Sequence, residues 1–195
     1  MLIITGGLQN AHANIRVTQA FARSVPVHTW HTVVMVEWTE VKVLDDLKLR
    51  LVASKSGLRT LQFPPFGPPE GERNDVNTWM NQAADQLRAY FAGTLRAFCV
   101  PLDMQGTDFQ LSVWNQLLRI PYGETRSYAQ VAEAVGRPKA VRAVGAANGS
   151  NPVAIIVPCH RVIGSAGKLT GYGGGLPLKK RLLELEGAWT MDLRM

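Results

Sequence analysis

Cysteine is scarce in this chain. Only Cys99 and Cys159 occur among 195 residues. Two thiols do not make a disulfide framework, so both read as reduced and the protein as cytoplasmic. Histidine is also rare, at His12, His28, His31 and His160, and no CxxC, HxxxH or HExxH spacing is present. That excludes the usual zinc arrangements, and neither a metal nor a cofactor is expected. No run of about 18 uninterrupted apolar residues occurs, so no membrane span is expected. The start, MLIITGGLQNAHANIRV, has no basic stretch ahead of its apolar residues and does not read as a secretory signal.

Apolar residues make up 46% of the chain and charged residues 18%, with a net charge of +6. This composition supports one large domain or two small ones and excludes a disordered chain. The basic excess is compatible with a polyanionic partner without requiring one.

Residues 1–34 show no clear period and read as an extension, and Met35 opens a more regular pattern. LKLRLVAS (47–54) and LRTLQF (58–63) each alternate with period two around the turn SKSG, which is a hairpin signal. PPFGPPEGERND (64–75) reads as a loop. Asp75 is placed to cap a helix over 76–92, with Trp79, Ala83, Leu87, Tyr90 and Phe91 on its apolar stripe. LRAFCVPLDM (95–104) reads as a short strand with Cys99 as a small core residue.

The texture changes after Gly106. Thr107 or Asp108 caps a helix over FQLSVWNQLLRI, and Pro121-Tyr122-Gly123 stops it. Ser127 caps YAQVAEAVG, and AVRAVGAANGS follows as a second short helix rich in small residues. Together they form a helix-turn-helix pattern. LPLKKRLLEL (176–185) is an amphipathic helix with Pro177 in its first turn and Gly187 beyond its end. The fold class expected is α+β: a small strand-rich N-terminal domain with a helix over 35–105, then a mostly helical domain over 106–190.

The stretch IVPCHRVI sets Cys159 beside His160 inside an apolar run. A packing residue, a metal ligand and a nucleophile with its base are all compatible with it. Neighbours in a strand face opposite ways, so a direct Cys159–His160 bond needs a turn, or a bridging water must supply the reach. Asn151, before Pro152, can tie such a turn together. Glu186 sits at a helix end where the dipole disfavours an acid, so it needs another reason to be there. Accepting a bond from His160 is one, and would complete a Cys-His-carboxylate relay.

PCHRVI, with GETRSYAQVA, AVRAVGAANGSNP and GKLTGYGGGLPLKKRLLELEG, resembles the O6-alkylguanine-DNA alkyltransferase family over about Phe109–Ala188. The resemblance implies a ribonuclease-H-like layout for the N-terminal domain and a winged-helix-like second domain. It implies irreversible transfer of an alkyl group from O6-alkylguanine in duplex DNA to Cys159, one turnover per molecule, by a monomer, and leaves open whether O4-alkylthymine is a further substrate. By the same resemblance Cys159 is the acceptor, poised as a thiolate. His160 deprotonates it through a water, Glu186 orients His160, and Asn151 braces the turn. Tyr128 crowds the DNA backbone and donates to the base. Arg142 fills the space the nucleotide leaves, and Ala140, Ala143, Gly145 and Ala146 let the helix approach the minor groove. Tyr172, Gly173, Gly174 and Gly175 wall the guanine pocket. The carbonyls of Cys159 and Val162 accept from the guanine amine, and Lys179 favours the thiolate. Two rivals remain: a helix-turn-helix protein that binds damaged DNA without reacting, and a cysteine hydrolase using Cys159, His160 and Glu186.

Overall fold

The computed structural model describes residues 35–189, so the expected extension over 1–34 lies outside the described residues. A four-stranded sheet opens the described chain. Its strands are β1 (Glu37–Leu44), β2 (Leu47–Ser54), β3 (Gly57–Gln62) and β4 (Glu72–Arg73), in the order β3-β2-β1-β4. β2 and β3 form the expected hairpin, antiparallel with Leu51 opposite Leu61. β1 went unread as a strand because only Thr39 and Val43 on it are buried, which leaves little alternation to detect. β4 lies inside the stretch read as loop and pairs in parallel with β1 through two residues.

Helix α1 (Thr78–Phe91) covers the sheet and buries Met80, Ala83, Ala84, Leu87 and Tyr90. Its cap is Asn77, whose side chain accepts from Met80 N at 3.1 Å, and not Asp75. Asp75 is engaged elsewhere, accepting from the Thr39 hydroxyl at 2.6 Å and pairing with Arg73 at 3.0 Å.

Residues 95–104 do not form the expected strand, and Cys99 is exposed rather than in the core. The Gln86 side chain accepts from Cys99 N at 2.7 Å and the Gln82 amide donates to Cys99 O at 2.7 Å. Two glutamines of α1 thus supply the hydrogen bonds a neighbouring strand would have given, so the backbone is satisfied without a ladder. Pro101, with no N–H, adds a further break. A backbone bridge, Leu58 to Leu102, and an ion pair between Arg59 and Asp103 at 3.0 Å hold this segment to β3.

The second half begins at α2 (Asp108–Leu117). Thr107 forms a full capping box with Gln110, which resolves the choice between Thr107 and Asp108. β5 (Arg126–Ser127) leads into α3 (Tyr128–Ala134), which Ser127 caps in the same way with Gln130. α4 (Val141–Gly149) follows after the 135–140 turn and completes the expected helix-turn-helix. β6 (Val162–Ile163) pairs in parallel with β5, and α5 (Gly175–Leu185) closes the fold.

One core runs through both halves, from Leu49, Leu51 and Leu87 to Val113, Val144, Val157 and Leu182. Each such side chain, fully buried, contributes about 2 kcal/mol. The halves also share a main-chain bond: Leu61 N donates to Pro152 O at 2.8 Å. Within the first half, Leu58 N donates to Pro101 O at 2.8 Å, a contact that Gly57 makes possible. Its φ is +152°, and a Cβ there would collide with the Pro101 carbonyl. Gly57→Ala is therefore expected to lower stability by about 2 kcal/mol or more, measured by urea unfolding.

Candidate active site

The segment that presents Cys159 is built from backbone satisfaction first. Asn151 Nδ2 donates to Val157 O at 2.8 Å, and Asn151 Oδ1 accepts from Val153 N at 3.0 Å. Val157 N donates back to Val153 O at 2.9 Å. This knot forces Ile155, a β-branched residue, to φ +74°, a conformation that costs roughly 1–3 kcal/mol and persists only where the surroundings fix it. Cys159, His160 and Arg161 then make one 3-10 turn. The turn takes the adjacent cysteine and histidine out of strand geometry, as the sequence required.

All three side chains of that turn are buried, Cys159 with 4% exposure and His160 with none. His160 Nε2 lies 3.0 Å from Glu186 Oε1. Glu186 is the C-cap of α5 and is itself 5% exposed. The same oxygen accepts from Tyr90 Oη at 2.6 Å and from Arg161 at 2.8 Å, while Oε2 accepts from Arg161 Nε at 2.9 Å and from Gly123 N at 3.4 Å. Arg161 also donates to Ile120 O at 2.6 Å. Burial by itself pushes the Glu186 carboxyl up. The donors from His160, Arg161 and Tyr90 outweigh that and hold it at about 2. The acid stays ionised although no solvent reaches it.

His160 and Cys159 are shifted the other way. Burial lowers the imidazole, against the pull of Glu186, so His160 is neutral near pH 7. With Nε2–H donated to the carboxylate, the proton-accepting nitrogen is Nδ1, which has no hydrogen-bond partner among the described residues. Burial raises the Cys159 thiol, and the Asn151 amide and the Lys179 charge offset only part of the rise. The resting sulfur is therefore a thiol, not the poised thiolate expected from the sequence, because desolvation outweighs one ammonium and one amide.

Lys179 is fully buried; its Nζ donates to Val162 O at 2.6 Å and to Thr170 O at 3.2 Å. Burial lowers its ammonium to about 8. Val162 O thus already serves Lys179. Cys159 O accepts from Val162 N within the turn and takes a long bond from Asn148 at 3.4 Å. The Tyr172 ring stands 6.4 Å from the His160 ring and 5.8 Å from Phe63, and its buried hydroxyl has no partner among the described residues. Gly173 is exposed, Gly174 and Gly175 are half-buried, and a Cβ on Gly174 would press on Leu178 and Phe63.

The helix-turn-helix lies at the side of this cluster. Tyr128 Oη shares a 2.7 Å hydrogen bond with Thr170 Oγ1, on the segment that Lys179 holds. On α4, Arg142, Ala143 and Ala146 are exposed, and Ala140 and Gly145 are half-buried. Arg142 makes no hydrogen bond or ion pair among the described residues.

The structure therefore brings Cys159, His160, Glu186, Asn151, Val162, Tyr172 and Lys179 into one cluster, with Tyr128 one hydrogen bond away. Arg142, Ala143 and Ala146 are on an outward face of α4 instead, while Gly145 faces the Tyr128 ring. Sequence reading missed Arg161, Tyr90, Thr170 and Asn148 as members. Arg161 stood inside PCHRVI, and a buried acid at a helix end is the signal that demands such a partner. Tyr90 gave no signal, since its helix stripe reads as core with or without the hydroxyl. No metal-holding group of three or more His, Cys, Asp or Glu occurs among the described residues.

The site thus joins a buried cysteine, a neutral imidazole and a buried acid beside a helix-turn-helix. Comparison with known proteins gives the family. The family described as 6-O-methylguanine DNA methyltransferase, DNA binding domain, matches residues 108–188, and its ribonuclease-like domain matches residues 48–104. A methylated-DNA--protein-cysteine methyltransferase of Methanosarcina acetivorans is 61% identical over 74% of this chain and 88% of its own length. The protein of that name from Mycobacterium tuberculosis H37Rv is 68% identical over 53% of this chain, which spans only 63% of that relative. The crystal structure of Mycobacterium tuberculosis O6-methylguanine methyltransferase has a TM-score of 0.71 at 49% identity, covering 82% of this chain and 98% of that one. That of Mycobacterium tuberculosis OGT in complex with DNA has a TM-score of 0.69 at 50% identity, covering 79% and 93%. The chain belongs to the 6-O-methylguanine DNA methyltransferase family.

The Glu186 carboxyl titrates below its ordinary value, so its network stabilises the fold above the unfolded carboxyl pKa and loses that contribution as pH falls towards 2. Wild type is expected to lose stability steadily between about pH 5 and pH 2, and Glu186→Gln to show a flatter profile over that range, measured by urea unfolding at each pH.

Proposed function

We propose that this protein repairs DNA by direct reversal, moving the alkyl group of O6-alkylguanine in duplex DNA onto Cys159 Sγ, once per molecule. The observation that carries this reading is the buried thiol set in one cluster with an imidazole whose Nδ1 is free to accept a proton. A hydrolase needs room for water and turnover, whereas a thiol with 4% exposure suits a single soft displacement on an alkyl carbon. The damaged-DNA binder without chemistry leaves the His160–Glu186–Arg161 assembly unexplained.

The steps follow from the residues. His160 Nδ1 takes the thiol proton through a water, and the imidazolium is stabilised by Glu186 Oε1 at 3.0 Å. The thiolate attacks the alkyl carbon, an S–C bond forms and the C–O6 bond breaks, with its electron pair going to guanine. Guanine takes up one proton, so overall the thiol hydrogen is exchanged for the alkyl group and a neutral base leaves. Tyr128, exchanging Thr170 for the substrate, donates towards the base, and Tyr172 and Gly173–Gly175 wall it. Lys179 adds positive charge near the sulfur while the negative charge exists. The S–C thioether does not hydrolyse under these conditions, which makes the event irreversible. O4-alkylthymine offers the same alkyl–oxygen bond and is a second substrate on this reading.

DNA is engaged through α4. Its small residues Ala140, Ala143, Gly145 and Ala146 allow close approach at the minor groove, and exposed Arg142 fills the gap left by the extruded nucleotide. The relative solved in complex with DNA supports this partner.

Incubation with duplex carrying a labelled O6-methyl group is expected to leave label on the peptide containing Pro158–Arg161, at no more than one per protein. Cys159→Ser is expected to abolish it, and label transfer by that variant would sink the reading. Arg142→Ala is expected to slow duplex repair by about tenfold or more, yet to change reaction with free O6-benzylguanine less than about twofold, because only the duplex demands extrusion.

A further inference from the structure

The Tyr90 hydroxyl has no role in the chemistry above, yet it makes the shortest bond to the buried acid. It comes from α1, in the ribonuclease-like part of the chain, 96 residues before Glu186. Tyr90 is fully buried, its ring packed edge-on against Phe91 at 5.5 Å and Tyr122 at 6.2 Å. Packing alone would be served as well by phenylalanine. Instead the phenol donates to Oε1, the same oxygen that faces His160 Nε2.

We infer that Tyr90 is a positioning residue of the transfer reaction: by occupying Glu186 Oε1 it limits how strongly the carboxylate holds a proton on His160, and so keeps the imidazole free to accept the thiol proton. This rests on the acceptor role proposed for Cys159.

The physical basis is competition for one oxygen. Oε1 receives Tyr90, His160 and Arg161 together. Each donor withdraws electron density, so each reduces what remains for an imidazolium. The other groups facing His160 are Arg161 and Lys179, which both oppose its protonation, and the Tyr172 ring. The Arg161 guanidinium is turned to Glu186 and Ile120 O, and Lys179 to Val162 O and Thr170 O. Among the described residues, Tyr90 is the one neutral donor on that carboxylate from outside the second half of the chain. Through it the first half, which carries none of the reacting groups, sets the base.

Removing the hydroxyl leaves Oε1 more available to His160, so the imidazole pKa rises and the acid limb of the rate profile moves to higher pH. Strengthening the donor moves it the other way. The test is the rate of Cys159 benzylation by free O6-benzylguanine from pH 5 to 9, read by intact mass on the full chain. Tyr90→Phe is expected to move the acid limb up by about half a unit, giving roughly threefold slower reaction on the acid side and convergence with wild type above the limb. A site-specific fluorotyrosine at position 90, a stronger donor, is expected to move it down. A purely structural role predicts a loss that is uniform with pH and has the same sign for both variants, and that outcome overturns the inference. Titration of the His160 ring nitrogens by 15N NMR reads the same shift without catalysis. If wild type fails to alkylate, the proposed function fails, and the NMR titration alone decides whether Tyr90 sets the imidazole.

Discussion

Burying a carboxylate away from water costs several kcal/mol unless donors surround it. Glu186 meets that demand with a phenol, an imidazole, a guanidinium and a backbone amide. These groups come from α1, from the 3-10 turn that bears the thiol, and from the turn that ends α2. The geometry of the reactive segment follows from this one requirement. His160 and Arg161 must both point at the acid, which leaves Cys159, the residue before them, facing elsewhere with the imidazole Nδ1 unoccupied. The Asn151 knot and the strained Ile155 fix the approach to that turn.

Desolvation then explains the division of labour. A thiolate kept ready in such a buried place would need more positive charge than Lys179 supplies, and the lysine is itself weakened by burial. A neutral thiol beside a neutral base is the cheaper resting state. In the proposed reaction the charge appears only while the alkyl group is transferred, and the acid network is already in place to stabilise the imidazolium.

Much of this is legible in the sequence. The β2–β3 hairpin announced itself by alternation, α2 and α3 by their capping residues, and the His160–Glu186 contact by an acid standing at the wrong end of a helix. What escaped did so for physical reasons. β1 hides because one of its faces is only half covered. The 95–104 segment has strand-like composition, but its hydrogen bonds are met by Gln82 and Gln86. Asp75 and Asn77 are both competent caps, and only the Thr39 and Arg73 contacts decide between them. Tyr90 and Arg161 belong to the site through distances in space, and periodicity along a chain carries no information about a hydroxyl 96 residues away. The thiol's protonation state likewise depends on how dry its surroundings are, which no motif encodes.

The bond from β3 to Pro152 has an evolutionary consequence. Modules joined by a loose tether can be swapped between genes, because each keeps its own hydrogen bonds. Here the loop before the nucleophile borrows a donor from the sheet's edge strand, and the acid borrows one from a helix of the same half. Recombination that replaced the first sixty or so described residues with an unrelated fold would strand both. The two halves are thus bound to a shared inheritance, and drift in one is constrained by chemistry carried out in the other.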